Sequence, residues 1–357
     1  MLVSPLDWGM GHATRCIPVI QACLDAGAEV IVCGSNTVVK RIQIDFPDLK
    51  YFSEELYIPA YSKALPAWIK ILLQLPLLLK SERSSYARIQ ALVKNEEINI
   101  IISDNRYFVH ANSCVNVLVS HQLNPRLPGI LKFLQPVLRN RIAGLCSQFQ
   151  YVWVPDLNDK RALSGALSVN KLLDNRIRFC GVLSRFKPAK LDEVQGEYDL
   201  LILSGPQPQP MVLFEKIAAL YADSPRTLQV ISAMAMPVLP HVKTHVLPDN
   251  KTFEALVLKA RNIICRPGYT TLMDLVNLNR TALLIPTPGQ TEQEYLAKHL
   301  LSRGFTCLSQ SRIPATGNHT KMPFPHNVSA HTKREENAEL KEVMVEIFNQ
   351  IESPLPA

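Results

Sequence analysis

His12 is the residue of this sequence best placed for acid–base chemistry. It follows Gly9-Met10-Gly11, a glycine loop between an apolar strand at 2–5 and an amphipathic helix at 13–26. A general base needs a pKa near neutrality and a fixed position at the carboxyl end of a strand, and a histidine at a helix start meets both conditions. The alternative is that His12 only caps the helix or contacts a neighbouring loop.

Asp104 ends another apolar strand and belongs to the same predicted sheet edge as His12. A carboxylate there could orient the imidazole and stabilise its protonated form. It could instead pair only with Arg106, two residues further on. A third strand, 115–119, is followed by Ser120 and His121, so three strands place polar residues at one rim. Core packing alone does not explain this clustering.

A second set of candidate residues follows the apolar strand 262–265. Arg266-Pro267-Gly268 must turn sharply, and Thr270 or Thr271 can cap a helix. A strand that runs through a glycine turn into a helix N-terminus presents backbone N–H groups and a positive dipole end to an anion. Asp274, near the helix start, is placed to accept hydrogen bonds from ligand hydroxyls. The plainer alternative is that Gly268 only turns the chain and Asp274 only favours the dipole.

The same device occurs once more, after the apolar strand 199–203. Ser204-Gly205-Pro206-Gln207 leads from this strand into a predicted helix at 211–221, a form suited to a diphosphate. Further on, Gln293 and Glu294 offer amide and carboxylate groups to sugar hydroxyls, with ordinary helix capping as the alternative. The two glycine turns and these polar side chains therefore predict a nucleotide-binding site in the second half of the chain.

These candidates need a fold that brings strand ends together. The order strand, loop, helix, strand recurs along the chain and predicts right-handed parallel crossovers, which is a doubly wound α/β fold whose ligands bind beyond the carboxyl ends of the strands. At 357 residues the chain is long enough for two domains. We place a linker at 185–198, between an N-terminal domain at 1–184 and a C-terminal domain at 199–333, followed by a helix and tail at 334–357.

NAD binding is rejected, because Gly9-Met10-Gly11 has no third glycine at the required offset.

Charge and cysteine usage limit the partners. The net charge is +7, and residues 1–184 carry 20 Lys and Arg against 14 Asp and Glu. Such an excess can attract nucleic acid, an anionic membrane surface or an anionic substrate, and no nucleic-acid-binding signature is recognisable. The eight cysteines show no Cys-x-x-Cys spacing and lie mostly in apolar runs, which predicts reduced, buried thiols in a cytoplasmic protein without a metal site.

Two apolar segments with basic residues stand out, at 65–80 and 127–142. The first is too short and too interrupted to span a bilayer. We expect it to form a buried helix pair broken at Pro76, the alternative being a helix in a membrane interface. If both segments lie on one face, they indicate an amphiphilic acceptor and a peripheral contact with the inner face of the membrane.

Four motifs together resemble the nucleotide-sugar glycosyltransferases with two Rossmann domains, the GT-B type. They are Gly-Met-Gly-His-Ala-Thr-Arg at 9–15, Ser-Gly-Pro-Gln at 204–207, Arg-Pro-Gly-Tyr-Thr-Thr-Leu-Met-Asp at 266–274, and Pro-x-x-x-Gln-x-x-Gln-Glu-Tyr at 286–295. They look most like the family 28 branch, which contains the peptidoglycan enzyme that adds N-acetylglucosamine to a lipid-linked muramyl pentapeptide. Asp274 stands where that enzyme has a glutamate, and the first glycine loop is shorter, so that acceptor is not assigned.

The resemblance implies two Rossmann-like domains facing a central cleft, with the acceptor on the first and a UDP-sugar on the second, and no cofactor. His12 and Asp104 would be catalytic. Four residues would lie on the acceptor side: Gly9, Gly11, Arg15 and His121. Ten residues would bind the nucleotide and the donor sugar: Ser204, Gly205, Gln207, Arg266, Gly268, Thr270, Thr271, Asp274, Gln293 and Glu294.

The expected function is therefore an inverting, metal-independent transfer of a sugar from a UDP-sugar to an unidentified acceptor, for which a lipid-linked molecule is one option. The candidate donor is UDP-N-acetylglucosamine. Two alternatives stay open. A UDP-sugar epimerase of the same architecture would convert its UDP-sugar with no acceptor, and a non-catalytic nucleotide-sugar-binding protein would bind UDP and turn nothing over.

Overall fold

Strands and helices alternate along the chain. The computed structural model describes residues 1–7, 10–55, 57, 67–189, 196, 198–222, 224–315, 319–326 and 338–352. The first group of elements is β1 (Leu2–Pro5), α1 (Met10–Asp25), β2 (Ile31–Gly34), α2 (Asn36–Gln43), β3 (Lys50–Ser53), α3 (Ala67–Asn95), β4 (Ile100–Asp104), β5 (Val115–Val119), α4 (Gln135–Cys146), β6 (Tyr151–Val154) and β7 (Ile177–Phe179). The second group is β8 (Tyr198–Ile202), α5 (Gln209–Ala218), β9 (Thr227–Ser232), β10 (Val242–Val246), α6 (Asn250–Lys259), β11 (Asn262–Cys265), α7 (Tyr269–Asn277), β12 (Leu283–Leu284), α8 (Thr291–His299), β13 (Thr306–Cys307) and finally α9 (Ala338–Glu352).

The strands form two sheets in which every pairing is parallel. The first has the order β3-β2-β1-β4-β5-β6-β7, and the second has the order β10-β9-β8-β11-β12-β13. Most central strands are buried on both faces, which is why they read as continuous apolar runs in the sequence. The prediction of two Rossmann-like, doubly wound α/β units is confirmed.

Both sheets reverse their strand order at an equivalent position. In the first sheet this switch point lies between β1 and β4, and in the second it lies between β8 and β11. Helices that leave neighbouring strands at a switch point depart toward opposite faces of the sheet, which opens a crevice beyond the strand ends. The loops after these four strands are therefore the places where a ligand would bind.

The chain divides into two compact units. The first comprises Met1–Pro59, Leu73–Ser184 and Asn337–Ala357, and the second comprises Ala60–Leu72 and Arg185–Glu336. The terminal helix α9 thus belongs to the first unit, where it packs against α1, β5 and β7. Its buried residues follow the helical repeat and are Leu340, Val343, Met344 and Ile347. Because α9 packs on α1, it supports the helix that carries His12.

The predicted buried helix pair at 65–80 is wrong for the residues that the structure describes. Residues 65 and 66 lie outside those residues, and α3 continues through Pro76 without a break. A proline removes one backbone hydrogen bond, which a helix of 29 residues tolerates. The leucines on either side of the proline are exposed, Leu73 at 67% and Leu77 at 52%.

Replacing Ile347 by Ala should destabilise the first unit, although this residue lies at the far end of the chain. Removing a fully buried Ile side chain costs about 2–5 kcal/mol, and the cost falls on the elements that α9 covers. Amide hydrogen exchange should therefore speed up in α1 and β7 and stay unchanged in β8 and β11. Val345→Ala is the matched control on the same helix, because Val345 is largely exposed. Faster exchange in the second unit would contradict this assignment of α9.

Candidate functional site

The first candidate site lies at the switch point between β1 and β4. His12 stands in the first turn of α1, which follows β1, and Asp104 is the last residue of β4. His12 Nδ1 lies 2.9 Å from Asp104 Oδ2. The carboxylate is fully buried, whereas the imidazole keeps 17% of its surface exposed. The structure thus brings the proposed base and its proposed orienting residue into direct contact.

Arg15 and His121 complete what we call the His12 cluster, which consists of His12, Arg15, Asp104 and His121. Arg15 Nε donates to Asp104 Oδ1 at 2.8 Å, and a terminal nitrogen of Arg15 donates to the same oxygen. The other terminal nitrogen lies 3.4 Å from Nδ1 of His121, which follows β5. Because residues three apart share one face of a helix, His12 and Arg15 reach the same carboxylate.

Burial and neighbouring charges set the protonation of this cluster. Burial, and then the positive charge of Arg15, lowers the pKa of His12 below its ordinary value of 6.5, although Asp104 acts in the opposite direction. Burial would raise the pKa of Asp104, but Arg15 and His12 outweigh it, and the pKa of this carboxyl is lowered. Near neutral pH the cluster therefore holds an ionised Asp104 and a neutral His12, which is the form a general base requires.

Arg106 has a different partner from the one the sequence suggested. Its terminal nitrogens donate to Glu54 Oε2, Ser85 Oγ and Ser4 Oγ, each at 2.7 Å. Glu54 directly follows β3, a strand that the sequence reading did not include. The alternative in which Asp104 pairs only with Arg106 is therefore wrong.

The remaining acceptor-side residues divide into three cases. Gly9 lies outside the described residues. Gly11 is part of α1, where its carbonyl accepts a hydrogen bond from Thr14 Oγ1 at 3.0 Å. Arg15 and His121 are buried. Their contacts within the His12 cluster explain this burial.

The second candidate site lies at the equivalent switch point, between β8 and β11. Ser204 follows β8, and Gly268 immediately precedes α7, which follows β11. A methyl group placed on Gly268 would lie 3.6 Å from Ser204 Oγ and 3.8 Å from Thr271 Oγ1. Two hydroxyl groups thus flank the backbone at the start of α7. Gly205, whose φ is +94°, and Gln207 are exposed on the neighbouring loop.

Three helices of the second unit begin without a side-chain cap, as far as the described residues show. The residues at the cap positions of α5, α7 and α8 are Pro208, Gly268 and Gln290. In contrast, Asp249 caps α6, with its Oδ1 accepting a hydrogen bond from Thr252 N at 2.7 Å. The three uncapped helices follow β8, β11 and β12, which are neighbours in the sheet. An anion at this edge would meet main-chain N–H groups and positive dipole ends.

The predicted cap of α7 needs correction. Thr270 and Thr271 lie within the first turn of α7, because the helix begins at Tyr269. Both residues are half-buried. The cap position belongs to Gly268, which has no side-chain oxygen to offer.

Arg266 is buried and holds the strand ends together. One terminal nitrogen donates to the carbonyls of Ile285 and Pro286, both at 3.0 Å, and the other donates to the carbonyl of Gln209 at 3.4 Å and to Gln310 Oε1. Burial lowers its pKa to about 10, so it stays charged at neutral pH. Its guanidinium thus connects the loops after β8, β11 and β12 through their main chain.

Asp274 occupies the second turn of α7 and is buried. Its Oδ2 lies 3.3 Å from Nε of Arg185, whose guanidinium packs over the ring of Phe253 at 4.3 Å. The sequence reading placed Arg185 in the linker and did not anticipate this pair, since 89 residues separate the two. An Asp274 that binds ribose hydroxyls must do so while it is paired with Arg185.

Gln293 and Glu294 fold back onto the loop that precedes them. Gln293 Oε1 accepts a hydrogen bond from Thr287 N at 2.8 Å, and Glu294 Oε1 accepts one from Gly289 N at 2.9 Å. Both side chains therefore shape the loop between β12 and α8. Gln293 is buried, whereas Glu294 is exposed. Contact with a donor sugar stays a prediction for both residues.

The described residues bear on three further points: metal ligands, membrane-spanning helices and the thiols of eight free cysteines. No three His, Cys, Asp or Glu side chains among them are grouped so as to hold a metal ion. No helix within the described ranges is both long and apolar enough to cross a membrane. All eight cysteines are free thiols, and seven of them are buried.

No protein-family model matches the sequence, and no curated protein matches it. Solved structures do match the fold. The glycotransferase of kitacinnamycin shows a TM-score of 0.60 at 12% identity, covering 88% of this chain and 86% of that one. UGT89C1 of Arabidopsis thaliana, complexed with UDP-L-rhamnose, shows a TM-score of 0.58 at 14% identity, covering 98% and 93%. MurG of Acinetobacter baumannii shows a TM-score of 0.50 at 13% identity, covering 99% and 90%.

These matches extend over most of each chain. At such low identity they establish the fold, and that fold is the two-Rossmann-domain architecture of GT-B glycosyltransferases. The resemblance first recognised in four sequence motifs is thereby confirmed at the level of the fold.

Proposed function

We propose that this protein is an inverting glycosyltransferase that moves a sugar from a UDP-sugar to an acceptor hydroxyl, with UDP-N-acetylglucosamine as the candidate donor. One observation carries the proposal. Three uncapped helices begin at the carboxyl edge of the second sheet, and the hydroxyls of Ser204 and Thr271 flank Gly268 there. The likeness to glycosyltransferase structures, one of them complexed with UDP-L-rhamnose, supports it.

The second unit binds the nucleotide in this proposal. The diphosphate lies at the starts of α5 and α7, where main-chain N–H groups and dipole ends stabilise its negative charge, and α8 adds a third positive end. In this proposal the dipoles take the place of a metal ion. Because the charge on the diphosphate grows as it leaves, they stabilise the transition state more than the bound donor.

The first unit supplies the general base. Neutral His12 accepts the proton of the acceptor hydroxyl at Nε2 while that oxygen attacks the anomeric carbon and the bond to the diphosphate breaks. Asp104 stabilises the imidazolium that forms, through the 2.9 Å contact with Nδ1. A single displacement of this kind inverts the configuration at the anomeric carbon.

Replacing Gly268 by Ala should weaken UDP binding without harming the fold. The glycine has φ −73° and ψ 132°, which alanine adopts readily, and the new methyl group would make only ordinary contacts. It would nevertheless occupy the space beside Ser204 and Thr271 that the diphosphate needs. We expect an unchanged melting temperature without ligand and a loss of about tenfold or more in UDP affinity by calorimetry, or about 1.4 kcal/mol.

Gly144→Ala is the matched control for this variant, because a methyl group at Gly144 meets no atom within 4 Å and lies in the first unit. It should leave UDP binding unchanged. UDP affinity in Gly268→Ala equal to that of the wild type would remove the start of α7 from the nucleotide site.

Replacing His12 by Ala should lower the rate and spare the donor. Loss of a general base typically costs about 10² to 10⁴ in rate, whereas UDP binds to the other unit. The release of UDP from UDP-N-acetylglucosamine, with a bacterial lipid extract as the acceptor mixture, measures turnover, and calorimetry measures UDP affinity. Equal turnover in both proteins would exclude His12 as the base.

The pH dependence supplies a second measurement of the same role. Since the pKa of His12 is lowered from 6.5 and the base must be neutral, kcat/KM should rise with pH through an apparent pKa below 6.5 and level off near neutrality. An acid limb centred above pH 7 would contradict this assignment.

We further propose that the acceptor is lipid-linked and that the first unit contacts an anionic membrane surface. Four apolar residues between 130 and 137 share one exposed stripe, and Ile130 and Phe133 are each 74% exposed. The stripe runs along the segment Gly129–Leu134 and the start of α4. Basic residues flank it, Lys132 and Arg139 among them, and no Asp or Glu occurs from 105 to 155. An apolar face with basic flanks suits anionic headgroups.

Replacing both Ile130 and Phe133 by Asp should abolish membrane binding. Each apolar side chain that enters a membrane contributes about 1.5–3 kcal/mol, so the double variant should lose at least tenfold in cosedimentation with vesicles that contain phosphatidylglycerol. Binding of the wild type should be weaker to vesicles of phosphatidylcholine alone. Val238→Asp is the control, because Val238 is an exposed apolar residue of the second unit. Undiminished binding of the double variant would refute the contact.

A further inference from the structure

The guanidinium of Arg15 distributes its hydrogen bonds unequally over Asp104. Both of its bonds to this carboxylate, from Nε and from a terminal nitrogen, go to Oδ1. Among the described residues, Oδ2 has Nδ1 of His12 at 2.9 Å and the weakly donating thiol of Cys16 at 3.8 Å. Arg15 is 2% exposed, so these contacts replace any contact with solvent. Each carboxylate oxygen of Asp104 therefore has its own main partner, Arg15 at Oδ1 and His12 at Oδ2.

This division decides which nitrogen of His12 carries the proton. Nδ1 lies within hydrogen-bond distance of an acceptor, Asp104 Oδ2, and of a donor, the terminal nitrogen of Arg15 at 2.8 Å. One nitrogen of a neutral imidazole can serve only one of them. If Nδ1 accepted from Arg15, a fully buried, charged Oδ2 would lose its best donor, whereas Arg15 already has Oδ1 as a partner. An unsatisfied buried charge is the costlier outcome, so Nδ1 carries the proton and donates to Asp104.

The charges of the cluster point the same way. Three groups act on the imidazole: Arg15 from α1, Asp104 from β4, and His121 after β5. A carboxylate alone would favour the protonated imidazolium, which cannot act as a base. The positive charge of Arg15 offsets that effect and, together with burial, keeps the pKa of His12 below its ordinary value.

We propose that Arg15 is the positioning residue of this site: it occupies one oxygen of Asp104, so that the other oxygen holds His12 with its proton on Nδ1 and the lone pair of Nε2 available for the acceptor hydroxyl. The inference rests on the proposed function, because a base is needed only if a hydroxyl is activated here. It gives Arg15 a role other than acceptor binding. The guanidinium acts through Asp104 and His12 and touches neither substrate.

Nitrogen NMR of protein labelled with ¹⁵N in its histidines tests the proposal without any turnover. The signal of His12 is identified by its absence in His12→Gln. In the wild type at neutral pH we expect the ring nitrogen shifts of the tautomer protonated at Nδ1. A wild-type signal from the tautomer protonated at Nε2 would overturn the proposal on its own, whatever the variants do.

Two variants separate the charge of Arg15 from its geometry. In Arg15→Gln the positive charge is lost, so the pKa of His12 should rise by about 1 unit or more. In Arg15→Lys the charge remains but the two bonds to Oδ1 do not, so the pKa should stay low while kcat falls about tenfold or more at an unchanged affinity for UDP. If the pKa of His12 does not move in Arg15→Gln, Arg15 is only a structural ion pair and the proposal is wrong.

Arg41→Gln is the matched control, because Arg41, on α2, is another buried arginine of the first unit and is paired with Asp45. It should leave the titration of His12 unchanged. Should Arg15→Gln fail to fold, Arg15→Lys and the wild-type spectrum still decide the question. The outcome is also separable from the proposed function: without any sugar transfer the glycosyltransferase proposal fails, whereas the tautomer and the pKa of His12 report on Arg15 alone.

Discussion

The first backbone N–H groups of a helix need partners, and among the described residues the cap positions of three helices at the carboxyl edge of the second sheet offer no side-chain cap. Pro208 and Gly268 have no side-chain oxygen with which to cap α5 and α7, and Gln290 does not cap α8. Arg266, which follows β11, fixes the geometry of this edge, because its buried guanidinium binds main-chain carbonyls after the two strands that flank β11, namely β8 and β12. The result is a rigid set of positive dipole ends at a switch point, which suits a diphosphate.

The first unit uses the same topology for a different purpose. At its switch point the helix start leads to a cluster whose charges cancel internally, since Arg15 neutralises Asp104 and His12 remains neutral. Such a site has no net charge to offer a phosphate, but it has a basic nitrogen for a neutral hydroxyl. In the proposed function, one fold, repeated along the chain, thus provides an anion site in one unit and a proton acceptor in the other.

The sequence predicted the features that depend on local pattern. Apolar runs ending in glycine or polar residues marked most strands, and their shared edge placed His12 beside Asp104. Features that depend on distant partners could not be predicted. β3 is only partly buried and has no apolar run, so Glu54, the partner of Arg106, was missed. Arginine is a residue type that often binds anionic ligands, so the sequence suggested this role for Arg266. Only the fold shows that its guanidinium instead donates to backbone carbonyls. The exposed leucines of α3 likewise follow a pattern that is typical of a core.

Amide hydrogen exchange with and without saturating UDP tests the central claim most directly, because it reports on the main-chain groups themselves. The account predicts slower exchange at residues 209–212 and 268–272, the starts of α5 and α7, and no change at the start of α6, which Asp249 already caps. Slower exchange confined to the first unit or to the start of α6 would contradict it, as would a bound nucleotide that leaves the starts of α5 and α7 unprotected.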